Sequence, residues 1–129
     1  MSLDHVAIRV KDYPAAKAFY TTILAPLGST MLNEPAPHVC GFGKDAPTFW
    51  ISTCPEGNPG NIDTPTHVAF ACKNSHEVDA WYDAAIKAGA TCDGKPGIRA
   101  HYHPGYYGAF VLDADGHKIE AVTHTGVAK

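Results

Sequence analysis

Two histidines and one glutamate stand at positions where they could bind one metal ion. His5 opens the run His5-Val6-Ala7-Ile8, and His67 opens the similar run His67-Val68-Ala69-Phe70, an offset of 62 positions (67 − 5). Glu120 lies near the end of the chain. Two imidazoles and one carboxylate suit one divalent metal ion (Zn, Ni, Fe or Mn), with positions left for water and substrate. The alternative is that both histidines hydrogen-bond within the core while Glu120 lies at the surface.

A second cluster with chemical potential is Arg99-Ala100-His101-Tyr102-His103-Pro104-Gly105-Tyr106-Tyr107. On a strand, Arg99, His101 and His103 would share one face. They could then bind a metal, anchor an anionic oxygen or move a proton. We predict His103 and Tyr107 as catalytic residues and Arg99 and His101 as substrate-binding residues. The alternative is a histidine-rich surface loop or a dimer contact.

The offset of 62 recurs beyond the histidines, which predicts a duplicated structural unit. Ala18-Phe19-Tyr20 returns as Ala80-Trp81-Tyr82, and Leu24 returns as Ile86. The offset holds through a strand-like run and the helix-like run after it. Two copies predict a pseudo-twofold arrangement, in which functional side chains converge between the halves.

Each half is predicted to fold as β-α-β-β-β, which makes the chain α+β. The first strand covers Leu3–Val10, and a helix over about Tyr13–Leu24 follows, with Asp12 as its N-cap. The second half repeats this with a strand at Thr66–Cys72 and a helix over about His76–Ala88, capped by Ser75. The other predicted strands are Ser29–Asn33, His38–Gly43, Thr48–Thr53, Thr91–Cys92, a segment around Arg99–His103, Tyr107–Leu112 and Lys118–Thr123. We expect one domain with modules over about 1–54 and 66–125 and a linker at 55–65.

Strand periodicity predicts which way the candidate ligands face. In the first strand of each half, alternation puts valine and isoleucine or phenylalanine towards the helix, and His5 and His67 on the other face. Small Ala7 and Ala69 lie beside them and leave room for a ligand. Glu120 has the parity that could face the same cavity. Arg9 shares the face of His5, where it could bind an anionic group of the substrate or form a structural ion pair.

Composition excludes several classes of function. The net charge is −3 and no cluster of lysine and arginine exists, which argues against nucleic acid. No apolar run approaches the roughly 20 residues of a membrane span, and no signal sequence opens the chain, so we expect a cytoplasmic protein. The four cysteines show no paired spacing and are predicted as reduced, mainly core residues, with Cys54 as the exposed exception. Asp113-Ala114-Asp115-Gly116 lacks the EF-hand spacing and predicts a hairpin turn.

The chain resembles the glyoxalase/bleomycin-resistance/extradiol-dioxygenase superfamily, also called vicinal oxygen chelate proteins. The resemblance rests on the duplication and on four sequence runs: Leu3-Asp4-His5-Val6-Ala7, Phe19-Tyr20, Thr66-His67-Val68-Ala69-Phe70, and Asp113-Ala114-Asp115-Gly116-His117-Lys118-Ile119-Glu120. It implies that two βαβββ modules pair into an incomplete barrel that cups a divalent metal. His5, His67 and Glu120 match three metal positions of that family. The resemblance also implies a homodimer and a small-molecule substrate.

Trp50 occupies the fourth metal position implied by the resemblance, found by matching Phe49-Trp50-Ile51 to Ile119-Glu120-Ala121. Glyoxalase I has a carboxylate there, and an indole can neither bind metal nor move protons. We expect Trp50 to line the substrate pocket or to pack in the core. The leading hypothesis is a metal-dependent lyase, isomerase or dioxygenase acting on an oxygen-rich molecule. The alternatives are a metal-free binding protein of the bleomycin-resistance type and a protein that preserves only the fold.

Overall fold

The computed structural model describes residues 2–53 and 64–129. The chain divides into two compact units, Met1–Thr64 and Pro65–Lys129, each of which holds one predicted module. Cys54 and most of the predicted linker lie outside the described residues. That the two modules form one domain stays a prediction. Each unit is described by itself.

The first unit is a four-stranded mixed sheet with one long helix. Its strands lie in the order β1-β4-β3-β2; β1 runs parallel to β4, and the other pairs are antiparallel. The elements are β1 (Val6–Arg9), α1 (Tyr13–Leu24), β2 (Thr30–Ala36), β3 (Val39–Gly43) and β4 (Pro47–Ser52).

Helix α1 has the bounds that the sequence predicts, because local signals set both of its ends. The Asp12 side chain accepts the backbone N–H of Ala15 at 3.0 Å, and a proline lies in the first turn. A short 3-10 turn follows and ends at Gly28, whose φ of +77° favours glycine. The helix buries Tyr20 completely, and this ring lies 5.1 Å from that of Phe49 on β4.

The second unit repeats the architecture. Its strands lie in the order β5-β8-β7-β6, with β5 parallel to β8. The elements are β5 (His67–Ala71), α2 (Ser75–Lys87), β6 (Thr91–Ile98), β7 (Tyr107–Leu112) and β8 (Lys118–Thr123). The predicted α+β class and the βαβββ order of both modules are confirmed. Neither sheet closes into a barrel. Neither helix of the described residues has the length and apolar character of a membrane-spanning segment.

Side-chain alternation gives the second sheet two different faces. Fully buried Ile119 and Ala121 share the face on which α2 packs, and α2 covers it with Val78 and Trp81. The opposite side is here called the helix-free face. It carries Glu120 together with the residues that share its strand parity on the neighbouring strands.

Two local predictions in the second unit are wrong. The segment around Arg99–His103 is a loop, and the strand before it, β6, extends to Ile98. Gly94, Pro96 and Gly97 make this segment a poor strand by sequence, but β6 lies at the sheet edge, where proline and irregular register are tolerated. The N-cap of α2 is Asn74, not Ser75.

Asn74 is predicted to contribute to the stability of the second unit. Its Oδ1 accepts the Glu77 backbone N–H at 3.1 Å, and Glu77 Oε1 accepts the Lys73 backbone N–H at 2.7 Å. Asn74→Ala removes the cap and should lower the free energy of unfolding by about 1 kcal/mol. Urea denaturation followed by circular dichroism measures this loss. The exposed His76→Ala should change stability by less than half as much, and equal losses in both variants would contradict the assignment.

Candidate functional site

The centre of the candidate site is the buried carboxylate of Glu120 on the helix-free face. Glu120 is 2% exposed, and its Oε1 lies 2.8 Å from Nε2 of His67. Parallel pairing of β5 with β8 sets Ala69 opposite Glu120, with no bulky side chain between the histidine and the acid. The structure therefore brings together two of the three predicted ligands, His67 and Glu120, within one module.

Tyr106 is a third member of this site that the sequence prediction missed. Its hydroxyl donates a hydrogen bond to Oε2 of Glu120. Burial, and then the bond to Glu120, raises the pKa of Tyr106 well above its usual range. The hydroxyl therefore keeps its proton at neutral pH and acts as a donor. Both carboxylate oxygens are thus engaged, one by His67 and one by Tyr106.

Tyr107, the predicted catalytic tyrosine, lies on the other face of the sheet. Its hydroxyl donates to Oδ1 of Asp79 on α2 at 2.6 Å. Burial, and then that bond, raises the pKa of Tyr107 to about 12. Strand alternation explains the difference, because neighbouring residues point to opposite faces. The register of β7 against β8, which pairs Phe110 with Glu120, is the signal that selects Tyr106.

His117 helps to fix the start of the strand that carries His67. Its Nδ1 accepts the Thr66 backbone N–H at 2.8 Å, and the Thr66 carbonyl accepts the Lys118 N–H at 2.9 Å. The ring of His117 is 2% exposed. These bonds tie the residue before His67 to the residue before Ile119, and so they hold the β5–β8 register.

The turn before β8 contains a second group of potential metal ligands. Asp113, Asp115 and His117 each offer one ligand atom, all within 4.8 Å of one another, and they could bind a metal. Asp113 Oδ1 already accepts the backbone N–H groups of Asp115 and His117 at 2.9 Å. The predicted hairpin turn is present, and these two bonds are part of it.

His103 lies in the β6–β7 loop (residues 99–106) and pairs with another histidine. Its Nε2 is 2.7 Å from Nδ1 of His124, and the two rings are stacked with centroids 5.0 Å apart. The Gly105 backbone N–H donates to His103 Nδ1 at 3.0 Å. In the neutral ring the proton therefore resides on Nε2, which donates it to His124. The Tyr106 ring lies nearly perpendicular to both rings, with centroids 5.6 Å from that of His103 and 5.4 Å from that of His124.

Arg99 and His101, the predicted substrate-binding residues of the loop, take different positions. The Arg99 guanidinium donates to the carbonyls of Lys95 and Gly97 and lies over the Phe110 ring. His101 is exposed, and its ring packs on that of Tyr102 at 4.3 Å. The three residues predicted to share a strand face therefore do not do so, because the segment is a turn.

In the first unit, Trp50 occupies the register position that corresponds to Glu120. It pairs with Ala7, as Glu120 pairs with Ala69. The indole covers Gly41 of β3, where a Cβ atom would come within 2.8 Å of two ring atoms. His5 is exposed just before β1, with Nδ1 at 2.5 Å from Asp4 Oδ1, and Arg9 is exposed at the end of β1. The metal-binding role of His5 and the substrate-binding roles of Arg9 and Trp50 stay predictions.

Solved structures with the same fold cover almost the whole chain. A glyoxalase/bleomycin resistance protein from Albidiferax ferrireducens is 30% identical with a TM-score of 0.78, and the match covers 94% of this chain and 97% of that one. Lactoylglutathione lyase from Agrobacterium tumefaciens is 17% identical, with a TM-score of 0.68 over 95% and 92% of the two chains. A mutant fosfomycin resistance protein from Listeria monocytogenes, complexed with Mn(II) and a dihydroxypropylphosphonic acid, is 20% identical, with a TM-score of 0.67 over 98% and 90%.

Sequence comparison gives the family. No curated protein matches the chain. The family model described as Glyoxalase/Bleomycin resistance protein/Dioxygenase superfamily matches residues 2–121. Because that match spans far more than half of the chain and agrees with the fold, the protein belongs to the glyoxalase/bleomycin resistance/dioxygenase superfamily.

Proposed function

We propose that this protein is a divalent-metal-dependent enzyme acting on a small, oxygen-rich organic substrate. The observation that carries the proposal is the meeting of His67 and Glu120 on the helix-free face. A carboxylate that is 2% exposed needs a compensating charge or several donors, since desolvation of an unpaired charge costs several kcal/mol. A divalent cation meets that need, and members of this superfamily typically bind one.

The donor set fits such a metal. One imidazole nitrogen and one carboxylate oxygen converge, and both atom types are ordinary ligands of Zn, Ni, Fe and Mn. His5 is proposed as a further ligand on the strength of its repeat equivalence to His67 alone. Mn(II) in a solved fold neighbour supports the view that this fold accommodates such an ion.

The chain's own residues divide the work of the proposed reaction. Tyr106 orients Glu120 and, because its pKa is raised, holds its proton while it does so. His67 contacts the Glu120 carboxylate from the neighbouring strand, β5. When bound, the metal supplies Lewis-acid stabilisation of an oxyanion that develops on the substrate.

His103 remains the proposed proton-transfer group, now with His124 as its partner. A proton taken up by one ring can pass through the 2.7 Å contact to the other.

Trp50 argues against glyoxalase I chemistry, because the register position equivalent to Glu120 in the first unit carries an indole. Lyase, isomerase and dioxygenase reactions other than that one fit the proposal. We further propose a homodimer, which rests on the family resemblance, and a cytoplasmic location, with which the free cysteines Cys40, Cys72 and Cys92 agree.

One observation favours a second candidate, a metal-free binding protein of the bleomycin-resistance type. The direct bond between His67 and Glu120, with Tyr106 on the other oxygen, satisfies the buried acid without a metal. A protein that sequesters its ligand needs no more than this. Metal binding therefore decides between the two candidates.

The enzyme proposal predicts that His67 is required for metal binding. The wild-type protein should bind about one divalent metal ion per chain. His67→Ala should weaken binding by more than about tenfold, because removing a residue that only hydrogen-bonds to a metal ligand already costs about that much. Isothermal titration with Zn(II) and Mn(II) measures both affinities. The exposed His76→Ala is the matched control and should bind as wild type. No binding by the wild-type protein would favour the metal-free candidate.

The two adjacent tyrosines give a second test with an internal control. Tyr106→Phe removes the donor to Glu120 and should weaken metal binding by about 10- to 100-fold. Tyr107→Phe removes an equivalent hydroxyl that donates to Asp79 on the opposite face, and it should leave the metal affinity within about twofold. The same titrations measure both. Equal effects of the two substitutions would remove Tyr106 from the site.

A further inference from the structure

Two cationic side chains lie against one aromatic ring beside the His67–Glu120 pair. The Phe110 ring centroid is 5.3 Å from the Arg99 guanidinium carbon and 4.8 Å from the Lys118 ammonium nitrogen. The His67 ring centroid lies 6.4 Å from the same ring. Phe110 is 6% exposed and pairs with Glu120 across β7 and β8. The candidate metal ligands thus have two positively charged side chains nearby, Arg99 just after β6 and Lys118 on β8.

Two glycines of β6 leave room for the Arg99 side chain beside the Phe110 ring. A Cβ atom at Gly94 would lie 2.8 Å from the Phe110 ring and 3.1 Å from an Arg99 guanidinium nitrogen, and one at Gly97 would lie 3.2 Å from the other. A side chain at Gly94 would collide with the Phe110 ring, and one at either glycine would crowd the guanidinium. Two N–H groups of Arg99 then donate to the carbonyls of Lys95 and Gly97 at 2.7 and 2.9 Å. These contacts fix the orientation of the side chain before any ligand arrives.

The charge of Arg99 has no ion-pair partner in the part of the chain that the structure describes. Among residues 2–53 and 64–129, no carboxylate lies within ion-pair distance of its guanidinium. Within the described residues, two of its five N–H donors are used by the carbonyls, so three remain for a ligand. A rigid guanidinium with spare donors matches the planar oxygen pair of a carboxylate. Lys118 is only loosely paired, at 3.5 Å from Asp93, and its side chain is half-exposed.

We propose that Arg99, assisted by Lys118, forms an oxyanion-binding subsite beside the candidate metal site. This inference rests on the proposed function and narrows its substrate class. The substrate would carry a carboxylate or a similar oxyanion at one end and metal-chelating oxygens at the other. Phe110, whose ring lies near both Arg99 and His67, would contact the short apolar segment between the two ends.

The subsite can be tested without a metal, using benzoate and its neutral isostere benzamide as probes. Protein treated with a chelator is titrated with each probe, and the backbone amide resonances of the β6–β7 loop and β6 are followed by NMR. Benzoate should shift these resonances saturably below about 20 mM, as expected for one charged subsite acting alone, and benzamide should not. Arg99→Gln should weaken benzoate binding at least about tenfold, and Arg99→Lys by less, since it keeps the charge but loses the planar donors.

Lys87→Gln provides the matched control, since it removes one positive charge from an exposed position at the end of α2. It should bind benzoate as wild type. The subsite would be overturned by equal shifts with the two probes or by the absence of a saturable shift. It would also be overturned by shifts confined to β1, which carries Arg9, or by unchanged benzoate binding in Arg99→Gln. Metal titration separates the two proposals: an Arg99→Gln variant that retains metal binding but loses benzoate binding supports both, whereas a wild-type protein that binds benzoate but no metal removes the enzyme proposal and leaves the subsite.

Discussion

Burial of the Glu120 carboxylate constrains the second unit more than any other single feature. An acid that is 2% exposed must be compensated, and its compensation comes from separate parts of the chain. His67 reaches it from the parallel neighbour β5, and Tyr106 reaches it from the β6–β7 loop. The sheet register and the loop conformation therefore have to be correct together. Loss of either would leave one carboxylate oxygen buried without a partner.

The register of β5 against β8 depends on Asp113 and His117, which also belong to the second group of potential metal ligands. Parallel neighbours cannot be set by a tight hairpin, so something else must align them. Here the buried ring of His117 accepts the Thr66 N–H, while Asp113 holds the turn through two backbone N–H groups. The turn that precedes β8 thus places His67 opposite the strand of Glu120. The Asp113 carboxylate and the His117 imidazole thus have a structural use in this turn.

The sequence predicted the elements that local signals determine and missed those set by tertiary contacts. Helix α1 has the predicted bounds because Asp12 and the following proline mark its start. The β6–β7 loop was predicted as a strand because its side chains alternate as they do in one. Most of β6 was not predicted as a strand because its glycines, which leave room for Arg99, are unfavourable in strands. Tyr106 could not be chosen over Tyr107, because the choice depends on how β7 aligns with β8. Sequence spacing alone does not contain that register.

The two modules keep the same register but use it for different chemistry. The position opposite alanine on the first strand holds Trp50 in one unit and Glu120 in the other. Across the next strand, Trp50 faces Gly41, which gives the indole room, whereas Glu120 faces Phe110. Duplication thus preserved backbone pairing while the side chains diverged, one unit towards an aromatic wall and the other towards a buried acid. Phe110 stands at the register position that Gly41 occupies in the first unit, and its ring contacts both Arg99 and Lys118. It therefore connects the buried acid to these two positive charges.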